Sequence, residues 1–310
     1  MTNNQRMAYG EELLALGREN PQIVAVEADL GKSTMSSLFG AEFPERYFDV
    51  GIAEQNMFST AAGLAAAGKI PFCSTFSVFA SGRAYDQIRQ TIGIGRLNVN
   101  ICGSSAGLSD FGDGSTHQSV EDIALMCAIP GMTVFTPCDA NETRQAVRAA
   151  ADIEGPVFIR VMRNDLPSFT ETGGTLKVGK PRVMRDGSDV LLLAHGAMVS
   201  RAMDAAAALE VAGVSTKVVN IATMKPFCYK EVAGLAAEMK AVVTAEEHNF
   251  IGGLAYAAAF ALRNSEVPMG YVAIEDEYGQ SAHSAEELMK HYGLTAENIV
   301  KTALATMGKA

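Results

Sequence analysis

Short runs of β-branched and aromatic residues alternate along this chain with stretches of helical period, and that alternation constrains the fold more than any other feature. The runs QIVAVEA, YFDVG, IPFCST, LNVNIC, TVFTP and PVFIRV come first, separated by patterns such as YGEELLALGREN and SGRAYDQIRQTIG. Strands separated by helices cannot close as tight hairpins. They are joined by crossovers, which favours a parallel sheet covered on both faces. A segment rich in Gly, Pro, Thr and charge, NDLPSFTETGGTLKVGKPRVMRDGSD, then breaks the pattern and has the composition of a linker. Beyond it the alternation restarts with VLLLAHG, TKVVNIA, AVVTAEE and GYVAIED. The expected fold class is α/β, with two doubly wound domains and mainly parallel sheets. The expected boundaries are 1–165 and 188–310, joined by a linker at 166–187. A chain of 310 residues is long enough for two such cores.

Composition narrows the function. A formal net charge of −10 argues against a nucleic-acid surface, which needs clustered Lys and Arg. No apolar run is long enough to span a bilayer, and MTNNQRMAYG carries no hydrophobic signal core, so the expected place is the cytoplasm. The five cysteines form no C-x-x-C pair and read as reduced, mostly buried thiols.

In open α/β sheets ligands bind beyond the carboxyl ends of the strands. Asp29 and Ser33 follow the first expected strand, Glu54 the second, and Phe76 and Phe79 the third. Asp113 and His117 follow the fourth, and Arg163 ends the sixth. Acid, aromatic, imidazole and guanidinium groups therefore converge on one sheet edge. Glu54 is the sole ionisable side chain from Val50 to Gly68, nineteen residues whose composition suits burial on most sides. An ionised carboxylate there is costly without a partner.

Two other motifs fail on spacing or context. GKST at Gly31 resembles the end of a phosphate loop, but the first glycine of such a loop would fall at Val26. GDG at Gly112 precedes Asn141 by a spacing that fits a metal–diphosphate signature, yet it follows the polar loop GSSAGLSDF rather than a buried strand.

Taken together, FDVGIAEQNM, PFCSTFSVF, GDGSTHQSVED and VVTAEEHNFIGGL closely resemble the transketolase family over nearly the whole chain. The match is to the family's C-terminal half, a pyrimidine-binding domain followed by the C-terminal domain. The resemblance implies the smaller subunit of a split transketolase that moves a two-carbon ketol unit from a ketose, or its phosphate, to an aldose. It implies thiamine diphosphate as cofactor, with Mg²⁺ and the diphosphate held by a separate N-terminal subunit, in an α2β2 assembly.

Residue by residue, Glu54 matches the acid that hydrogen-bonds the cofactor's aminopyrimidine. Phe76 and Phe79 match the aromatics that wall that ring, although ordinary core packing also accounts for Phe76. His117 matches the family's His that faces the cofactor's reactive end and the donor's hydroxyls, so the resemblance implies Glu54 and His117 as the catalytic residues, and Asp113 matches the Asp that binds a substrate hydroxyl; Ser115 and Gln118 also space as a capping box around His117. Arg163, Arg6 and Ser33 match the grip on the sugar phosphate, and Asp29 matches a cofactor-region Asp. Arg160 is either a surface residue or a rival to Arg163. Two positions depart from full-length transketolases. Ser105 stands where they carry His, which bears on the choice of sugar, and Gly82 where they carry Tyr, which leaves the ring wall less complete. Two other readings are the β subunit of a 2-oxo-acid dehydrogenase and a non-catalytic scaffold or regulatory subunit. The related deoxyxylulose phosphate synthases share STF, RAYDQ and THQ but normally come as one long chain.

Overall fold

The computed structural model describes residues 3–308. All six expected runs of the first half become strands: β1 (Ile23–Glu27), β2 (Tyr47–Asp49), β3 (Ile70–Phe76), β4 (Asn100–Ser104), β5 (Thr133–Phe135) and β6 (Val157–Arg160). The second half supplies β7 (Arg182–Arg185), β8 (Val190–Ala194), β9 (Thr216–Asn220), β10 (Thr223–Lys225), β11 (Ala241–Asn249) and β12 (Met269–Ile274). One sheet runs β10-β5-β6-β4-β3-β1-β2 and the other β12-β11-β8-β9-β7. Every pairing is parallel except β10 on β5 and β7 on β9. The carboxyl ends of β1 to β6 therefore point to one edge. The near-complete burial of β1, β4 and β6 explains why they read as continuous apolar runs.

Two strands lie where no strand was expected. β7 falls inside the segment read as a linker, and β10 crosses from the second half of the chain to complete the first sheet. Both are short antiparallel edge strands, and β7 has an arginine at each end. Edge strands carry little of the apolar pattern that marks a central one. The halves are further tied by Thr136, whose N–H and hydroxyl donate to the carbonyls of Ala222 and Ile221, each at 2.9 Å. One apolar cluster also runs from Val26 and Phe158 in the first sheet to Leu191, Val219 and Leu254 in the second half.

Between the halves lies a buried polar network. Arg160, on β6, pairs with Asp122 through Nε at 2.9 and 3.1 Å, and its Nη2 donates to the Glu247 carbonyl at 2.9 Å. Ser77 Oγ donates to Asp122 Oδ2 at 2.6 Å, and Glu247 Oε1 accepts from Leu108 N at 2.6 Å. Glu246 caps the Leu254–Ala261 helix, accepting from the N–H groups of Leu254 and Ala255 at 2.6 and 2.8 Å. A side chain at Gly253 would place its Cβ 2.1 Å from Glu246 Oε2, so the cap depends on that glycine. This accounts for most of EEHNFIGGL. Burial pushes Glu246 and Glu247 each up to about 7.

His195 sits in the same interior, fully buried, with neither ring nitrogen hydrogen-bonded. Burial first, and then the positive charge of Arg160, pushes it down to about 3. The unfolded chain takes up a proton here below the ordinary histidine pKa, whereas the folded chain does not until far lower pH. Its contribution to stability is therefore complete above about 6.5 and lost progressively as pH falls toward 3. At about pH 5 the loss amounts to about 2 kcal/mol. His195→Leu should narrow the stability gap between about pH 8 and pH 5 by that amount relative to wild type, read by urea unfolding. Glu246 and Glu247 titrate in the opposite sense, losing stability as pH rises toward 7, and because Glu246 lies 3.8 Å from His195 Nε2 the comparison is repeated in a Glu246→Gln background.

Candidate active site

The loop after β1 is shaped by Glu27, buried at the strand's end. Its Oε1 accepts from the hydroxyls of Thr34 and Ser36 at 2.5 and 2.8 Å, and its Oε2 from the N–H groups of Ala28 and Leu30 at 3.0 and 3.2 Å. Burial pushes this carboxyl up to about 7. The threonine of GKST is thus turned inward onto a carboxylate, not outward to a phosphate. Asp29, in the left-handed region at φ 61°, is exposed and donates its N–H to Asp49 Oδ1 at 3.1 Å. Its charge reaches Tyr47, whose hydroxyl is pushed up to about 12, chiefly by burial. The other expected site residues gather in two groups.

Glu54 opens the Glu54–Ala66 helix and is 2% exposed. The segment around it is less enclosed than its composition suggested. Met57, Phe58, Ala61 and Ala62 face the core, while Gln55, Asn56, Ser59 and Gly63 are exposed. The helix hides Glu54 and shows solvent a surface of small and polar groups. The partner of Glu54 is Arg83, whose Nη1 donates to both carboxylate oxygens at 2.9 Å. No sequence pattern pointed to this arginine.

Arg83 ends a π-helical turn, Phe79–Arg83, that follows β3. Its guanidinium lies over the Phe79 ring, 4.3 Å from the centroid. Phe79 stacks on Phe76 with centroids 5.9 Å apart, and His117 meets Phe79 and Phe76 edge-on at 5.3 and 6.2 Å. Glu54, Arg83, Phe79, Phe76 and His117 thus form one continuous chain of contacts. His117 lies in a loop; the next helix begins at Asp122, and Gln118 is engaged with the Asp110 and Gln280 carbonyls, so no capping box forms. Thr116 Oγ1 lies 2.9 Å from His117 Nδ1.

The second group lies beside the first. Arg163 Nη1 donates to Asp110 Oδ2 at 2.8 Å, and Arg6 Nη1 to the Ser33 carbonyl at 3.0 Å. Asp110 is held above its ordinary value mainly by burial. Arg163 opposes that shift, while the charges of exposed Asp113 and of His117 also reach it. Arg6 is lowered by burial and by the neighbouring Arg163. Arg160 is in neither group: at 2% exposure it is not a surface residue, and its pairing with Asp122 removes it as a rival phosphate ligand. Asn141 donates its amide to the Thr170 carbonyl. Ser105, at φ 50°, is fully buried. At Gly82 an added Cβ meets nothing within 4 Å, so there is open space where the family's tyrosine would stand.

The profile of the transketolase pyrimidine-binding domain matches residues 2–168, and that of the transketolase C-terminal domain matches residues 179–299. The chain belongs to the transketolase family. A split-gene transketolase solved as an inactive β4 tetramer superposes with a TM-score of 0.90 and 42% identity, covering 99% of each chain. A 6-deoxy-6-sulfo-D-fructose transketolase subunit from Clostridium sp. strain MSTE9 is 40% identical over 96% of this chain and 92% of its own length. One of the subunits of an apulose-4-phosphate transketolase from Phocaeicola vulgatus is 34% identical over the full length of both chains. Against the human and mouse transketolases, the chain spans about half of their length. It is a transketolase-family subunit.

The residue types present fit the aminopyrimidine end of thiamine diphosphate: a buried carboxylate, the aromatic rings of Phe76 and Phe79 and open space at Gly82, with Arg83 holding the carboxylate and covering Phe79 in the free chain. Among the described residues no cluster of three or more His, Cys, Asp or Glu side chains is placed to hold a metal, and no helix is long and apolar enough to cross a membrane. Arg83→Met should leave Glu54 buried without its ionic partner and cost the isolated chain about 1–3 kcal/mol in urea unfolding. Adding Glu54→Gln should return most of that loss, which a double-mutant cycle reads as coupling.

Proposed function

We propose that this chain is the pyrimidine-binding half of a two-chain transketolase, assembled as α2β2 in the cytoplasm with a partner that carries Mg²⁺ and the diphosphate. The observation that carries the reading is Glu54, 2% exposed at a helix start and two residues beyond Ile52, which is 76% exposed. A buried acid beside an exposed apolar residue suits a site that is completed when another chain covers it.

In this reading Glu54 hydrogen-bonds the aminopyrimidine and holds the proton shared with its ring nitrogen, in a pocket dry enough to strengthen that bond. Phe79 and Phe76 support the ring's face. When bound, thiamine diphosphate supplies the carbon nucleophile and electron sink for two-carbon transfer. His117 and Asp113 orient the donor's hydroxyls, and Arg163 and Arg6 grip an anionic group at the sugar's far end. The two split relatives named for a sulfonated and a phosphorylated sugar support an anionic ketose as the substrate class.

The isolated chain should not bind thiamine diphosphate with micromolar affinity by calorimetry, with or without Mg²⁺. Reconstituted with its partner, Glu54→Gln should slow hydrogen–deuterium exchange at the cofactor's C2 by about 10²–10⁴-fold, followed by NMR. Wild-type exchange in that variant would remove Glu54 from its role, and tight binding by the lone chain would remove the need for a partner.

A further inference from the structure

Arg163 does not face its surroundings as a bare cation. The carboxylate that holds it, Asp110, is only 3% exposed, whereas the Arg163 side chain is 38% exposed. The backbone fixes the pair: Arg163 N donates to Ser109 Oγ at 3.2 Å, and Gln118 Nε2 donates to the Asp110 carbonyl at 3.0 Å. Arg6 is brought alongside by the bridge between Asn4 and Asp165 and by Asn4 Nδ2, which donates to the Arg163 carbonyl at 3.1 Å. Arg6 Nε is buried and has no hydrogen-bond partner. Asp165 also acts on Arg6, but it is exposed and screened by solvent. Two guanidinium groups therefore face one buried carboxylate, while Asp165 and Asp113 lie exposed at the margin.

A buried carboxylate in direct contact with the anion-binding arginine acts against a second negative charge on the ligand. It opposes a dianion more than a monoanion, because each added charge meets the same fixed field. We propose that Asp110 is a specificity-determining residue, matching the far-end subsite to a sugar carrying a single negative charge there, as a sulfonate does, ahead of a dianionic phosphate. This rests on the reading of Arg163 and Arg6 as the anion grip.

Asp110→Asn removes the charge while its amide oxygen still accepts from Arg163. The test uses the enzyme reconstituted with its partner at about pH 8, where a phosphate monoester is dianionic. Its donors are a ketose phosphate, the matching ketose sulfonate and hydroxypyruvate, which has no far-end group. Asp110→Asn should raise kcat/KM for the phosphate relative to the sulfonate by about tenfold, and hydroxypyruvate turnover measures whatever common change the variant makes to all three donors. A fall of equal factor on both anionic donors would overturn the proposal and leave Asp110 as a support for Arg163 alone. Arg163→Ala separates the two failures. If it lowers kcat/KM on both anionic donors while the Asp110→Asn ratio stays put, only the proposal fails. If it affects neither, the anion grip fails with it. A binding measurement covers any variant that loses turnover: inorganic phosphate and methanesulfonate titrated into the assembled enzyme at the same pH. There too the affinity ratio should move toward phosphate in Asp110→Asn, and an unmoved ratio overturns the assignment.

Discussion

The ion pair between Arg160 and Asp122 is the constraint on which the arrangement of the two halves depends. Both side chains are almost completely enclosed, so each charge is tolerable only while the other, and the oxygens around it, stay in place. Arg160 leaves the first sheet and reaches the Glu247 carbonyl at the end of β11, while Asp122 begins the helix that follows the His117 loop. Breaking such a pair by removing one partner costs about 3–5 kcal/mol, mostly from the charge left behind. The same network therefore fixes the second sheet against the first and anchors the far end of the loop that presents His117 and Asp113.

The site itself is built from softer material. Phe79, Arg83 and Glu54 meet because a π-helical turn follows β3 and an α-helix follows β2, which places an exposed cation over an aromatic ring and against a buried acid. Asp110 and Arg163 meet across two loops. Loops on a rigid parallel sheet allow the chemistry to vary while the strands stay unchanged. Gly82 and Ser105 illustrate two kinds of variation: one opens space at the rim, and the other is buried at the end of β4.

How much of this was legible in the sequence follows from where each residue gets its environment. The parallel strands could be read because burial on both faces leaves unbroken apolar runs, as in VLLLA of β8. β7 and β10 could not, because RVMR and TMK carry no aromatic pair like the YF that marks β2, an edge strand equally short. Glu54 stood out because nothing else near it in the chain is charged. Arg83 did not, because its partner lies 29 positions away and the pairing depends on a helical turn of unusual pitch. Arg160 was misjudged because a strand's alternation says which side of the sheet a residue faces, but not that a second sheet covers that side. Asp110 was passed over for Asp113 because both lie in one polar loop, and only folding buries the first and exposes the second.

The crossing of β10 bears on how a protein of this kind can be divided. Along the chain the halves look separable, yet β5 is bordered on its outer side by residues 223–225, from beyond β9. A gene cut between the halves would leave β5 as a bare edge in one product, with its ladder of donors and acceptors unpaired, and β10 as a loose segment in the other. Fission or recombination at that point breaks a sheet.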